Sequence, residues 1–188
     1  MRNHEFTIVA AGLDPQAADF GDRLFEAGCG DATISLQKGA IILEFDRDAR
    51  TFSSALVSAI ANVRAAGATV VHVEPDHLVS LADIALRAGV SRAAASNYAK
   101  GSRGQGFPAP VARVTTENPL WDWVEVARWF HQSGRLPTRD VVRARIVRQA
   151  NLGIAHQVAE RWRILSASTA PGSGRPPSRR DAAPTHSG

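Results

Sequence analysis

The residues best suited to chemistry in this 188-residue sequence lie on one predicted helix that runs from Arg92 to Lys100. At about 100° per residue, the polar side chains of this helix share one arc and the apolar ones share the other. The polar set is Arg92, Ser96, Asn97 and Lys100. The apolar set is Ala94, Ala95, Tyr98 and Ala99. Because arginine pairs with guanine and asparagine with adenine, this pattern predicts a helix that packs through one side and reads a DNA major groove through the other.

A first helix is predicted immediately before it, over Leu81–Ala88, with Ser80 as its N-cap. Gly89 follows where a left-handed backbone is needed, and Val90 fills the corner. Ser91 caps the second helix, whose N-terminus can also hold a phosphate. The spacing predicts a helix-turn-helix over 81–100. An ordinary helical hairpin would explain the glycine but not the sorted polar arc.

The segment after the second helix has the pattern of a wing. A flexible, basic loop is expected at 101–106, and it contains Arg103. The segments 107–114 and 120–123 are expected to pair as a β-hairpin around a polar turn at 115–118. A further helix is predicted over Val124–His131, with Val126 and Trp129 available to cover the hairpin.

Residues 78–132 resemble the winged helix-turn-helix of the MerR superfamily and of phage excisionases, most specifically through Phe107-Pro108-Ala109-Pro110. The resemblance implies that Arg92, Ser96, Asn97 and Lys100 face the groove, while Ser91 can hold a phosphate together with the helix N-terminus. It places four more residues at phosphates or in the minor groove, namely Arg103, Arg113, Thr115 and Thr116. MerR regulators begin with this domain, whereas here it is central. MerR-style effector binding and promoter untwisting are therefore not implied.

Residues 1–77 read as an alternating unit with the order β-α-β-β-α-β, which resembles the ferredoxin-like fold. The strands are expected at 5–10, 32–36, 40–45 and 68–74, and the helices at 15–27 and 52–66. Helices would cover one sheet face only. The other face would carry Thr7, Val9, Thr33, Ser35, Ile42, Val70 and His72, and it could pair two subunits. The expected class is therefore α+β, with this module before the winged unit at 78–133.

The C-terminal region, 134–165, is expected to be a basic helix or pair of helices over 138–165, with a possible break at Gly153. Its predicted apolar stripe is Val141, Val142, Ile146, Ala150, Ile154 and Val158. Residues 166–188 are rich in Ser, Pro, Gly and Ala and are expected to form a disordered tail.

Charge is distributed unevenly along the chain. Residues 1–77 contain 6 Lys/Arg against 11 Asp/Glu, whereas residues 134–188 contain 10 against 3. A basic C-terminal half suggests a polyanionic partner. No apolar run is long enough to span a membrane. The chain contains one cysteine, Cys29, which cannot form an intrachain disulfide, so a cytoplasmic location is expected.

No nucleophile, acid/base or metal-ligand arrangement is visible. The six histidines are scattered, and Cys29 has no neighbouring histidine in the sequence. The glycines at 101–106 follow a helix and precede a strand, which is the reverse of a phosphate-binding loop. We therefore expect no enzymatic activity, no cofactor and no metal.

These observations favour a transcriptional regulator that binds double-stranded DNA as a homodimer. One alternative is an antitoxin-type protein that binds a toxin-like partner through residues 1–77 or the C-terminal helix and autoregulates its operon. The other is an excisionase-like recombination factor, although excisionases are usually much smaller.

Overall fold

The computed structural model describes residues 1–168, which form a mixed α+β fold. The described strands are β1 (Arg2–Ala11), β2 (Ala32–Gln37), β3 (Ala40–Ala49), β4 (Thr69–Glu74), β5 (Leu78–Val79) and β6 (Trp121–Asp122). The described helices are α1 (Phe20–Leu24), α2 (Phe52–Ala65), α3 (Leu81–Ala88), α4 (Arg92–Ala99), α5 (Trp123–Gln132) and α6 (Thr138–Ser168). No helix among the described residues combines the length and the apolar character that a membrane crossing requires.

The four longer strands form one antiparallel sheet in the order β2-β3-β1-β4. Alternate residues of the central strands, such as Ile8 on β1 and Leu43 on β3, point to one face and are fully buried there. Helices α1 and α2 pack on that face to form the first core. The opposite face carries Glu5, Glu44, Asp46, Asp48 and Glu74, all exposed.

A β-bulge in β4 corrects one predicted position. Val9 pairs with His72 but Ala10 pairs with Val70, so Val71 is the extra residue. As a result both Val70 and Val73 point into the first core. The prediction that Val70 lies on the open face is therefore wrong. An inserted residue shifts the alternation of side chains between the two sheet faces by one position.

The first predicted helix begins later than its sequence pattern suggests. Residues 15–18 form tight turns, in which Asp14 accepts a hydrogen bond from the Gln16 amide at 2.9 Å. The helix starts at Phe20 and continues into a π-helical segment, Phe25–Cys29, where Gly28 has φ = 90°. The predicted start at residue 15 is wrong, since Asp14 caps a turn instead of a helix.

Arg47 joins the parts of the first core. Its guanidinium donates to the Asp31 carboxylate at 2.7 and 2.8 Å, to Ser58 Oγ at 3.0 Å and to Asn62 Oδ1 at 2.8 Å. It also donates to the Gly28 carbonyl at 2.8 Å. The hydrogen bonds from Arg47 hold the pKa of Asp31 below its ordinary value. With all its donors engaged, Arg47 is a structural link between β3, α2 and the segment before β2.

A second core lies among α3, α4, α5 and the beginning of α6. Its members include Val79, Ile84, Ala85, Tyr98, Trp121, Val124, Val126, Phe130 and Val141. Strands β5 and β6 close one end of it, with Val79 paired to Trp121.

Helix α6 belongs to both cores. Val141 and Ala144 contribute to the second core, and Val147 and Ile154 to the first. The helix is continuous through Gly153, so the possible break does not occur. It extends to Ser168, and the rest of the predicted disordered tail, 169–188, lies outside the described residues.

The predicted apolar stripe of α6 is partly wrong. Val142 and Val158 are 46% and 41% exposed, whereas Ala144, Val147 and Asn151 are buried. The apolar spacing predicted the wrong face because a polar residue, Asn151, lies at the centre of the buried face and interrupts its apolar positions.

Asn151 completes the hydrogen bonding of β4, an edge strand. Its Oδ1 accepts from the Val73 amide at 2.7 Å, and its Nδ2 donates to the Val73 carbonyl at 3.0 Å. Asn151 is only 7% exposed, so these four groups pair with one another away from water. The side chain thus acts as a one-residue strand partner and fixes α6 against the sheet.

We expect Asn151→Ala to destabilise the protein by about 2–4 kcal/mol, because it leaves the Val73 amide and carbonyl buried without partners. Denaturant unfolding followed by circular dichroism measures the loss. Gln149→Ala, an exposed change on the same helix, should cost no more than about 0.5 kcal/mol. Equal stability of the two variants would show that the Asn151 pairing contributes nothing.

Candidate nucleic-acid interface

The α3–α4 pair is fixed by local hydrogen bonds at each helix end. Ser80 Oγ accepts from the Asp83 amide at 3.3 Å, and the Asp83 carboxylate accepts from the Ser80 amide at 2.9 Å. Gly89 ends α3 with φ = 63°. Ser91 Oγ accepts from the Ala94 amide at 3.1 Å and so begins α4. The predicted helix limits, caps and turn glycine are all present, so the limits of α3 and α4 and the turn between them follow from local sequence.

An aromatic cluster supports the inner side of α4. Ala95 is fully buried and Tyr98 is 3% exposed. The Tyr98 ring lies 5.0 Å from that of Trp129, 5.7 Å from Phe130 and 6.1 Å from Phe107, measured between centroids. The predicted burial of Tyr98 is confirmed. This packing holds α4 through the arc opposite its polar residues.

The polar arc of α4 faces outward. Arg92, Asn97 and Lys100 are exposed, and Ser96 is half-buried. Among residues 1–168, neither Arg92 nor Lys100 forms an ion pair with a carboxylate. Four groups able to donate hydrogen bonds therefore lie on one accessible side of a rigidly held helix.

The loop at 101–106 is held at two points, although the sequence suggests flexibility. The Arg103 amide donates to the Asn97 carbonyl at 3.2 Å, and Trp129 Nε1 donates to the Gln105 carbonyl at 2.9 Å. The Arg103 guanidinium lies 5.6 Å from the centroid of the Tyr98 ring. This arrangement places a cation just beyond the C-terminal end of α4.

The predicted wing hairpin is reduced to a single bridge between Ala112 and Leu120. β6 pairs with β5 instead of with 107–114. The prolines explain the correction, because Pro108 and Pro110 have no amide hydrogen to contribute to a ladder. The hairpin predicted over 107–114 and 120–123 is therefore wrong as a two-stranded ladder.

The turn beyond this bridge carries the last three predicted contact residues, Arg113, Thr115 and Thr116, all exposed. Arg113 has φ = 51°, and its carbonyl accepts from the amide and the hydroxyl of Thr116 at 3.0 and 2.9 Å. The Thr116 hydroxyl therefore serves the turn itself. No hydrogen bond or ion pair joins this turn to α4 in the described part of the chain.

Three further arginines near the α3–α4 pair have internal partners. Arg128 pairs with Glu125 at 2.6 Å, and Arg148 pairs with Asp122 at 2.7 Å. The Arg87 guanidinium donates to the Asp76 carbonyl at 2.7 Å and lies over the Trp123 ring, and its burial lowers its pKa. These three arginines hold the structure together, whereas the cations of α4 and of the loop after it are exposed.

Sequence reasoning missed Arg135. The chain reverses after α5, where Gly134 has φ = 72° and the Arg135 amide donates to the Phe130 carbonyl at 2.9 Å. This reversal brings the Arg135 guanidinium to 5.9 Å from the Tyr98 ring centroid. Gly134 could have indicated this contact from the sequence, because a glycine just after a helix typically reverses the direction of the chain.

Cys29 lies in the first core and is 2% exposed, so it is a core residue, not the loop residue its flanking glycines suggest. Burial raises the pKa of its thiol, which keeps the thiol neutral. No group of three or more metal-ligating side chains occurs among residues 1–168. Comparisons with protein-family models, curated proteins and solved structures found no match.

We expect Tyr98→Ala to destabilise the protein by about 3–5 kcal/mol, because it removes a ring from the aromatic cluster. Tyr98→Phe should change stability by no more than about 0.5 kcal/mol, since the hydroxyl has no hydrogen-bond partner in the described residues. Chemical denaturation of both variants tests this. A substantial loss in Tyr98→Phe would mean that the hydroxyl is bonded in solution.

Proposed function

We propose that this protein is a sequence-specific DNA-binding regulator that reads the major groove with α4. The observation that carries the proposal is the sorting of charge around the α3–α4 pair. Asp83, Asp122 and Glu125 cap helices or form ion pairs. In contrast, Arg92, Lys100 and Arg103 have no carboxylate partner in the described residues and lie on or next to α4. Unpaired cations beside an exposed Asn97 match a partner that offers both phosphates and base edges.

The fold supports the same proposal. We propose that residues 78–133 form a winged helix-turn-helix with a short wing, similar to that of MerR proteins and excisionases. The two capped helices, the left-handed turn and the Ala112–Leu120 bridge are consistent with such a unit. For residues 1–77 we propose a ferredoxin-like module, which the strand order β2-β3-β1-β4 supports.

A second candidate is an antitoxin that binds DNA and neutralises a toxin-like protein. The exposed acidic face of the sheet favours it, because five carboxylates would attract a basic partner. The reading frame next to the gene separates these functions. A small toxin gene there favours the antitoxin, and an integrase gene favours an excisionase-like factor.

We expect Arg92→Ala and Asn97→Ala each to cost roughly 1–3 kcal/mol on the cognate site, with relaxed preference at one base position. Arg103→Ala should weaken binding to all sequences about equally and lower the salt slope by about one. All three residues are exposed, so stability should be unchanged. Titrations on specific and random duplexes at two salt concentrations, after a genome-wide map of binding sites, measure these effects.

Arg50→Ala and Asn3→Ala provide matched controls, because both residues are exposed on the sheet module, away from α4. They should bind every duplex like the parent. If Arg92→Ala and Asn97→Ala also do so, α4 does not read DNA and the proposal is wrong.

We further propose a homodimer, since one short helix reads only a few base pairs and two half-sites give useful specificity. The open sheet face is poorly suited to pairing with itself, because its five carboxylates would meet their own copies. Helix α6 offers Val142 and Leu152, which are 46% and 51% exposed. We therefore place the dimer contact on α6.

Light scattering at micromolar concentration should give the mass of a dimer. Leu152→Glu should shift that mass toward the monomer, because it places a charge in the apolar contact. Glu44→Gln on the open sheet face should leave the dimer intact. A monomer mass for the parent, with and without DNA, would overturn the dimer proposal.

A further inference from the structure

A cleft of about 540 Å³ opens between the 101–106 loop and the C-terminal end of α5. It lies just past the end of α4. Its walls are Tyr98, Arg103, Gly104, Gln105, Gly106, Trp129, Gln132, Ser133 and Arg135. The lining includes two arginines and no carboxylate, so its charge is positive.

The cleft is formed by fixed backbone. The loop is attached to α4 through the Arg103 amide and to α5 through the Gln105 carbonyl, as described above. Gly104 has φ = 72°, and a Cβ there would lie 2.7 Å from Trp129 Cζ2. Only glycine therefore fits where the loop passes the Trp129 indole, and the loop keeps this course beside Tyr98.

The two guanidinium groups lie 5.6 and 5.9 Å from the centroid of the same Tyr98 ring. Neither forms an ion pair with a carboxylate among residues 1–168. The Tyr98 side chain is almost completely buried, and its hydroxyl has no hydrogen-bond partner in the same part of the chain. Two like charges therefore line one cleft and lie against one aromatic ring, with no carboxylate partner in the described residues.

We propose that this cleft binds one phosphate group between Arg103 and Arg135. The guanidinium fork matches phosphate oxygens through paired hydrogen bonds, and an anion shared by both arginines would offset their mutual repulsion. The inference rests on the proposed function where the phosphate belongs to a DNA backbone flanking the groove that α4 enters. A free phosphate ion offers the same chemistry and is the other source.

The DNA arm of the test uses Arg103→Ala, Arg135→Ala and the double variant, with Arg50→Ala as the control. Each single variant should bind duplex about tenfold more weakly at low salt. The double variant should lower the salt slope by about one, no more than Arg103→Ala alone, because both arginines share one phosphate. A set of duplexes in which one phosphate at a time is replaced by an uncharged methylphosphonate locates the contact. At one position the replacement should weaken binding by the parent but not by the double variant. Thermal unfolding checks that the variants remain folded.

The second arm titrates inorganic phosphate at constant ionic strength and follows the Trp129 indole N–H by NMR, since that group forms part of the cleft wall. A shift in the parent and in Arg50→Ala, absent in the double variant, supports a phosphate site. If this shift occurs while the arginine variants bind duplex like the parent, the source is free phosphate.

The proposal is overturned if no linkage distinguishes the parent from the double variant and inorganic phosphate shifts neither. Failure of the proposed function has a different result. In that case the parent binds no duplex with sequence preference, and the phosphate titration still decides whether the cleft is an anion site.

Discussion

The two hydrogen bonds between Asn151 and Val73 are the constraint on which the arrangement of the molecule depends. They fasten α6 to the edge of the sheet and satisfy backbone groups that would otherwise be buried unpaired. Because the first turns of α6 also pack in the second core, the same helix sets where α3, α4 and α5 lie relative to the sheet. The Arg148–Asp122 ion pair, at 2.7 Å, adds a polar link between α6 and the start of α5. The position of the polar arc on α4 thus follows from a contact far from it in sequence.

Charge separation is the second constraint. The sheet presents exposed carboxylates on one face, and α4 with the loop after it presents exposed cations that form no ion pair among residues 1–168. Such a distribution orients the molecule in the field of a polyanion, because the sheet is repelled while α4 is attracted. It also disfavours contacts between the sheet faces of two copies, because like charges would meet. The acidic first half and basic second half of the sequence therefore favour a polyanionic partner at α4 and disfavour self-association through the sheet.

The elements set by local signals could be predicted from sequence, and those set by distant contacts could not. The caps Ser80 and Ser91 and the turn at Gly89 act within a few residues, so the limits of α3 and α4 followed from them. The bulge at Val71, the shift of the α6 stripe around Asn151 and the pairing of β6 with β5 all depend on tertiary neighbours. The α4 side chains were predicted from periodicity as one surface, whereas Arg135 reaches the region only through the chain reversal at Gly134.

The aromatic cluster behind α4 links folding to the candidate site. The inner side of the helix packs on Phe107, Trp129 and Phe130 through Tyr98. The Tyr98 ring also lies against the guanidinium groups of Arg103 and Arg135. A guanidinium over an aromatic face loses less freedom on binding than one on a free chain, because packing has already restricted it. The four groups of the α4 arc gain in the same way from a helix whose backbone cannot tilt without disturbing Tyr98. In the proposed DNA complex, cations held against a packed aromatic cluster would need less ordering on binding, and a short helix with few contacts would gain affinity from that preorganisation.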